Sequence, residues 1–217
     1  MSATNGCKRL VPALMLTVLL GVTPLSRADD PASRQIFRSV EVYYLKFIID
    51  HHYSALRMTE LAAGTDTTRD ADLSPAEGTA PTPSTQATAA KSGMDEIKSM
   101  ARRENRMQRE EILAAQRFLQ EWYGIDHTPR ISEDAQRSIW LLEASAAGSD
   151  FDKLFLQQMS LHHYRALAPS VTCTVGSDIE HHQLIRYCSQ IIHAQTAGIQ
   201  DMREMLQKEF GIVDINR

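Results

Sequence analysis

Apolar residues recur at intervals of three and four along most of the chain, which is the spacing of helices with one buried face. Gly and Pro are sparse and strand-like alternation is absent, so the pattern predicts an all-α protein. We expect helices over about 30–63, 94–123, 132–147, 149–169 and 178–210. Pro31 favours the first helix start, Gly124 and Gly211 favour helix ends, and Ser132 is the expected cap of the short third helix. We expect Pro169 to end the fourth helix, because proline removes a backbone donor.

One stretch departs from this pattern. Residues 65–93 are rich in Thr, Ser, Pro, Asp and Gly and contain almost no large apolar side chain. Such a segment cannot bury enough surface to offset its ordering entropy. We therefore predict a disordered insertion at about 64–93.

Two matching hexamers indicate an internal duplication. His51-His52-Tyr53-Ser54-Ala55-Leu56 returns as His162-His163-Tyr164-Arg165-Ala166-Leu167, an offset of 162 − 51 = 111. The helices that follow the doublets match at a smaller offset, because Gln195 corresponds to Gln108 and 195 − 108 = 87. The difference between the two offsets, 111 − 87 = 24, is the number of additional residues that we expect between the two helices of copy one. This predicts two hairpin repeats, 29–125 and 126–217, with the insertion in the first and the linking helix in the second. Two hairpins with long apolar faces favour a four-helix bundle.

The first 28 residues resemble a secretory signal. Lys8 and Arg9 precede an apolar run from Leu10 to Val22, and Ser26-Arg27-Ala28 fits a cleavage site. Removal leaves 217 − 28 = 189 residues, and the loss of three basic groups moves the net charge from −4 to −4 − 3 = −7. We expect a periplasmic or secreted protein without membrane insertion after cleavage. An uncleaved N-terminal anchor is the alternative, and the acidity argues against a nucleic-acid partner.

Two cysteines remain in such a mature chain, Cys173 and Cys188, 15 residues apart. In an oxidising compartment two thiols usually pair, so we predict a disulfide. A soft metal ligand or a redox pair is the alternative, although no Cys-x-x-Cys motif is present.

The histidine doublets are candidate metal ligands because imidazole is uncommon on apolar helix faces. His51 shares a face with Met58, and His162 shares a face with Met159. Imidazole and thioether together suit copper, Cu(I) more than Cu(II). The proposed metal set is His51, His52, Met58, Met159, His162, His163 and Met202, with Gln108, Glu111 and Gln195 as partners that orient the imidazoles.

Both copies resemble the domain of unknown function 305 family, which includes the CopM-like periplasmic copper-binding proteins. The resemblance lies in the His pair and in an Ala-x-x-Ile-Ile-x-x-Gln-x-x-x-Ile-x-x-Met helix, which here has Cys188 at the Ala position. It implies a ferritin-like helical bundle, secretion, and copper binding through Met and His. Each copy departs from the family's methionine pattern: Ile48 and Ala115 replace Met in copy one, and Pro169 replaces Met in copy two. The departures favour one shared or degenerate site over two intact sites.

Three functions remain open at this point. The first is copper sequestration or tolerance without turnover. The second is a metal-free structural or interaction protein whose histidines are satisfied core residues, and the third is a metal-dependent redox enzyme. No Glu-x-x-His, nucleophile elbow, phosphate loop or zincin motif occurs in the chain, so we expect no enzymatic activity.

Overall fold

The structure is a computed structural model, and it describes residues 31–67, 82 and 85–213. The predicted signal, 1–28, lies outside the described residues. Within them the chain forms five helices and no strand: α1 (Pro31–Ala63), α2 (Asp95–Tyr123), α3 (Glu133–Ala144), α4 (Ser149–Val175) and α5 (His182–Phe210). The predicted all-α class is therefore confirmed. In this part of the chain no helix combines the length and apolarity needed to cross a bilayer.

The helices pack as two antiparallel hairpins, α1 with α2 and α4 with α5, which join along α1 and α4. Both hairpins end in the same way. Gly124 and Gly211 have φ of 63° and 65°, a left-handed conformation that favours glycine. The Gly124 N–H donates to the Gln120 carbonyl and the Gly211 N–H donates to the Gln207 carbonyl. These equivalent caps lie 211 − 124 = 87 residues apart, in agreement with the offset that suggested a duplication.

Helix α3 covers the junction of α1 and α4. Ser132 lies at its N-cap position but makes no side-chain capping bond. Instead, the Ser132 N–H donates to the Ser54 hydroxyl at 2.9 Å, which ties α3 to α1. At the other end, the Arg57 guanidinium donates to the Glu143 carboxylate at 2.8 Å. The linking helix is therefore attached to α1 at both of its ends.

The prediction that α4 ends at Pro169 is wrong, because α4 continues to Val175 with Pro169 inside it. Proline removes one backbone donor, but tertiary contacts hold the following turn. The Ser170 hydroxyl and the Tyr44 hydroxyl on α1 lie 2.9 Å apart in the core. Cys173, one turn further, is bonded to Cys188 on α5, so the predicted disulfide is confirmed.

Helix α5 begins at His182 rather than near Asp178. The backbone donors just before it are used elsewhere: the N–H groups of Glu180 and His181 donate to the Glu41 carboxylate on α1, at 2.7 and 2.9 Å. The His181 ring also contacts Glu41, with Nδ1 2.6 Å from Oε2. A buried carboxylate on another helix therefore determines where α5 begins.

Part of the predicted insertion is attached to the bundle. The N–H groups of Lys91 and Ser92 donate to the carbonyls of Leu61 and Ala62 at the end of α1. The buried Thr82 hydroxyl donates to the Glu60 carboxylate. Thr82, Lys91 and Ser92 thus have hydrogen-bond partners on α1, while the mobility expected for the insertion as a whole stays a prediction. The rest of the predicted insertion, apart from 64–67, lies outside the described residues.

The buried apolar side chains form two clusters, one toward each end of the bundle. The first, here the methionine cluster, includes Met58, Met100, Met159, Met202 and Met205 together with Phe151 and Phe155. The second, here the tyrosine cluster, includes Tyr44, Tyr53, Leu119, Tyr187 and Ile191. Along α2, α4 and α5 a short buried polar segment separates the two clusters, whereas on α1 the histidine doublet is followed by Tyr53 and Leu56 of the tyrosine cluster.

Candidate metal centre

The buried polar segments of the four long helices form one layer across the middle of the bundle, here called the polar layer. It is lined by His51 and His52 of α1, Glu104, Asn105, Gln108 and Glu111 of α2, Ser160, His162 and His163 of α4, and Gln195 of α5. All four imidazoles are at most 1% exposed. The structure therefore brings both histidine doublets into one site.

His51 and His162 lie at the centre of this layer. Their rings are stacked, with centroids 3.8 Å apart and planes 6° from parallel. Burial lowers the pKa of His51 well below its usual value, and the neighbouring His52 and His163 lower it further. Burial, followed by the proximity of His51, lowers the pKa of His162 in the same way. Both rings are therefore neutral at neutral pH, which is the protonation state that binds metals.

The other member of each doublet lies beside a carboxylate of α2. His163 Nε2 is 3.2 Å from Glu104 Oε2 and hydrogen-bonded to it. His52 Nε2 is 3.0 Å from Glu111 Oε2, although the two groups are not aligned as a hydrogen bond. Burial would raise the Glu104 pKa, but the adjacent His163 reverses this effect and lowers the pKa below its usual value. A carboxylate that holds one nitrogen of an imidazole is the usual partner of a metal-binding histidine.

Of the two amides predicted to orient the imidazoles, Gln108 acts on one indirectly and Gln195 contacts none by a hydrogen bond. Gln108 Nε2 donates to Glu104 Oε2 at 3.4 Å, so Gln108 acts on the carboxylate that holds His163. Gln195 is fully buried, and neither its amide nitrogen nor its oxygen has a partner. An unpartnered buried polar group costs about 1–3 kcal/mol, so Gln195 needs another explanation than packing.

The predicted methionine ligands all lie on one side of the polar layer. Met58, Met159 and Met202 are at most 1% exposed and belong to the methionine cluster, as do Met100 and Met205. The tyrosine cluster contains no methionine among the described residues. The two incomplete methionine patterns of the sequence thus come together at one face of the layer.

The chemistry of these donor atoms fits a soft metal ion, whereas their arrangement would have to change to hold one. Both nitrogens of His51, both of His52, Nε2 of His162 and Nδ1 of His163 are buried without a hydrogen bond. Such orphaned imidazole nitrogens are typical of a site that holds another group. However, no set of three His, Cys, Asp or Glu side chains in the described ranges is arranged around a common point. An ion bonds in the plane of an imidazole, so sharing one between the stacked rings requires at least one ring to rotate.

Phe47 connects the polar layer with the surface. Its ring stacks on His51, with centroids 5.4 Å apart. Phe47 also lines an open cleft of about 520 Å³ together with Asp50 and His127. In this cleft His127 Nε2 lies 2.8 Å from Asp50 Oδ1. Phe47 is therefore the side chain between this cleft and the central pair.

Sequence reasoning missed two of the acidic contacts. Glu104 was visible only as a polar position on an otherwise apolar stripe, and its partner His163 is 163 − 104 = 59 residues away. Glu41 gave no signal, since its partners Tyr123, Glu180 and His181 lie between 82 and 140 residues further along. The His181 ring, beside Glu41, also stacks on Trp122 with centroids 4.0 Å apart.

The fold and this layer define a class: an all-α bundle that carries paired histidines and methionines in its core. The model of the family "Domain of unknown function (DUF305)" matches residues 84–206, more than half of the chain, and the chain belongs to this family. The match covers α2 to α4 and α5 as far as residue 206, so the first histidine doublet lies before it.

Several solved structures share the fold. "CopM in the Cu(I)-bound form" is 23% identical with a TM-score of 0.56, covering 79% of this chain and 98% of that chain. "CopM in the Cu(II)-bound form" is 20% identical with a TM-score of 0.55, covering 78% and 98%. "CopM in the Ag-bound form (by co-crystallization)" is 22% identical with a TM-score of 0.54, covering 79% and 98%. At these identities the likeness establishes the bundle fold. No curated protein shows significant sequence similarity to the chain.

Proposed function

We propose that this protein binds copper in the polar layer and serves in copper sequestration or tolerance outside the cytoplasm. The observation that carries the proposal is the set of orphaned buried nitrogens on His51, His52, His162 and His163. A folded protein that left them unpartnered would lose several kcal/mol, at about 1–3 kcal/mol for each group. A bound cation would satisfy them. The CopM structures, whose names include Cu(I), Cu(II) and silver, favour copper over other metals.

Imidazole nitrogens of His51 and His162 would hold the ion, because both rings are neutral and central. His52 and His163 would complete the nitrogen donors, with His163 oriented by its hydrogen bond to Glu104 and His52 lying beside Glu111. Met58, Met159 and Met202 would add thioethers from the methionine cluster, which favours Cu(I). Binding of the ion by soft ligands is sufficient for sequestration, so the proposal requires no enzymatic turnover.

The first experiment is a titration of the purified mature protein with Cu(I) in competition with a chelator. We expect His51→Ala/His162→Ala to weaken binding by at least about 100-fold, since each histidine removed is worth more than a partner that only orients a ligand. The matched control is His182→Ala/His193→Ala, which removes two exposed histidines of α5. Equal affinities of wild type and both variants would overturn the proposal.

A second titration tests the thioethers separately from packing. Met58→Leu/Met159→Leu/Met202→Leu conserves core volume, so we expect a change in thermal stability within about 1.5 kcal/mol per site. We expect its Cu(I) affinity to fall, whereas Met100→Leu/Met205→Leu in the same cluster should leave affinity unchanged. A triple variant with unchanged affinity would remove the methionines from the ligand set.

A metal-free structural protein is the second candidate, and the stacked geometry of His51 and His162 favours it. Stacked rings at 3.8 Å are a packing contact and need no ion. If this candidate is correct, wild type binds no metal in the titration. The variant His51→Ala/His162→Ala then loses thermal stability and nothing else. The same titration and a melting curve therefore separate the two candidates.

A further inference from the structure

Gly198 occupies an unfavourable position for glycine. It lies in the interior of α5, at residue 17 of a 29-residue helix, and its position is buried. Glycine in a helix interior is destabilising relative to alanine, because its backbone loses more freedom on folding. A buried interior glycine therefore indicates that some group must come close to the helix backbone.

The group that comes close is the His163 imidazole. A Cβ atom at Gly198 would lie 2.7 Å from His163 Cδ2 and 2.8 Å from its Nε2, closer than real side chains approach. His163 is 0% exposed, so its ring is enclosed by the bundle rather than free to swing into solvent. Even the smallest side chain at 198 would therefore displace the ring.

The same position in the first half of the chain is occupied differently. At the offset of 87 that relates α2 to α5, Gly198 corresponds to Glu111, since 198 − 111 = 87. Glu111 lies next to His52 in its own hairpin, with 3.0 Å between Oε2 and Nε2. In the second half the carboxylate is absent, and His163 reaches across the bundle to Glu104 instead, at 3.2 Å. Glu104 corresponds to Ile191, since 191 − 104 = 87, so α5 has no carboxylate at that position either. Both carboxylates beside the histidines therefore come from α2.

We propose that Gly198 is a positioning residue: it admits the His163 ring against α5, so that Nε2–H donates to Glu104 and Nδ1 is left as the metal-facing nitrogen. His163 Nδ1 is buried and has no hydrogen-bond partner, as this assignment requires. The statement about the metal-facing nitrogen rests on the proposed function. The placement of the ring by Gly198 does not.

The placement is tested on metal-free protein by long-range proton–nitrogen NMR of the histidines, which reports the tautomer of each ring. Wild type should show His163 as the Nε2–H tautomer. Gly198→Ala should abolish that signature, and so should Glu104→Ile, which introduces the residue found at the corresponding position of α5. An unchanged His163 tautomer in Gly198→Ala would overturn the role of Gly198, and an unchanged tautomer in Glu104→Ile would overturn the assignment of Nε2–H as the donor. If Gly198→Ala does not fold, its failure must be relieved when His163→Ala is added, and a double variant that also fails to fold would overturn the proposal.

A double-mutant cycle separates positioning from a general effect on the helix. In a His163→Ala background the ring is gone, so Gly198→Ala should raise the melting temperature, as expected of alanine in a helix. In the native background the same substitution should lower it. A rise of the same size in both backgrounds would show that Gly198 does not act through His163.

The metal-facing nitrogen is tested with Cu(I) and with Ag(I) as probes. We expect Gly198→Ala to weaken both by about 10- to 100-fold, the usual effect of losing a group that orients a ligand. The nitrogen signal that moves when Ag(I) binds wild type should be Nδ1 of His163, and movement of Nε2 instead would overturn the assignment. If wild type binds neither ion, the proposed function fails, while the NMR and the cycle still decide the role of Gly198.

Discussion

The imidazole rings of His51 and His162 lie face to face at 3.8 Å, although 111 residues separate them in the chain. Each belongs to a different hairpin, so the contact exists only when α1 and α4 are packed together. It places the two halves of the sequence repeat on one site and makes the centre of the bundle polar. The stability and the chemistry of this protein are consequently linked at the same residues.

Acid should destabilise the metal-free protein through this pair. The pKa values of His51 and His162 are lowered well below 6.5 by burial, so the unfolded chain binds protons that the folded chain excludes. The free energy of unfolding should therefore fall as the pH drops below about 6.5, with a slope of up to about 2.7 kcal/mol per pH unit for two groups. Urea denaturation at a series of pH values measures this slope.

The variant His51→Leu/His162→Leu should flatten the dependence, because neither site can then take up a proton. The control His182→Ala/His193→Ala removes two exposed rings and should retain it. A wild-type stability that is level between pH 7 and pH 5 would contradict the prediction.

Replacing Gln195 by an apolar residue should stabilise the metal-free protein. Its amide is fully buried and has no partner, so Gln195→Leu removes an unsatisfied group of similar size. We expect metal-free protein to gain about 1 kcal/mol of unfolding free energy, as measured by urea denaturation. The exposed Gln190→Leu on the same helix is the control and should change stability by less than about 0.5 kcal/mol. A loss of stability on Gln195→Leu would mean that the amide has a partner in solution.

The Glu41 carboxylate should hold the segment before α5. It accepts the N–H groups of Glu180 and His181, and it also accepts the Tyr123 hydroxyl. Glu41→Ala leaves these three donors without their acceptor, so we expect a loss of about 1–3 kcal/mol in unfolding free energy. Trp122 stacks on His181, so its fluorescence should change as well.

This experiment is best done with Trp140→Phe, which leaves Trp122 as the sole tryptophan of the chain. Glu121→Ala removes an exposed carboxylate close to Trp122 and serves as the control. Unchanged fluorescence together with unchanged stability in Glu41→Ala would refute the role of this carboxylate.

The bond between Cys173 and Cys188 should contribute about 3 kcal/mol, the amount expected for a 15-residue loop. Cys173→Ala/Cys188→Ala should lose this amount in urea denaturation, and a reducing agent should destabilise wild type but not the variant. Pro169 removes a backbone hydrogen bond, so the turn of α4 that follows it is held in part by the disulfide. Amide hydrogen exchange over 170–175 should therefore be faster in the variant. Two free thiols in unreduced, denatured wild type would contradict the bond itself.

The sequence predicted the ends of a helix well where they depend on a capping residue or on apolar spacing within a few residues of the end. The bounds of α1 and α2 agree with the sequence within one residue, because Pro31 and Gly124 act on their own helix ends. The same local rule failed at Pro169. There the lost backbone bond is outweighed by contacts with Tyr44 and Cys188, which are far away in sequence.

For the candidate site, residue type and spacing identified the histidines but not their partners. The doublets stood out because polar rings recur on apolar faces at a fixed offset. Glu104 was an undistinguished polar position until α2 was placed against α4, and Gly198 was an ordinary glycine until His163 was seen against it. Pairings between helices depend on the rotation of each helix about its axis, which the sequence of one helix does not encode.

The sequence by itself determined the helical class, the turns, the cysteine pair and the existence of two matched histidine doublets. These follow from side-chain chemistry and from interactions within a few residues. Only the tertiary structure decided that the doublets form one polar layer, that the methionines lie on one side of it, and that both carboxylates come from α2. The reason is physical: burial and orphaned nitrogens are properties of packed helices, and no single helix has them before it packs.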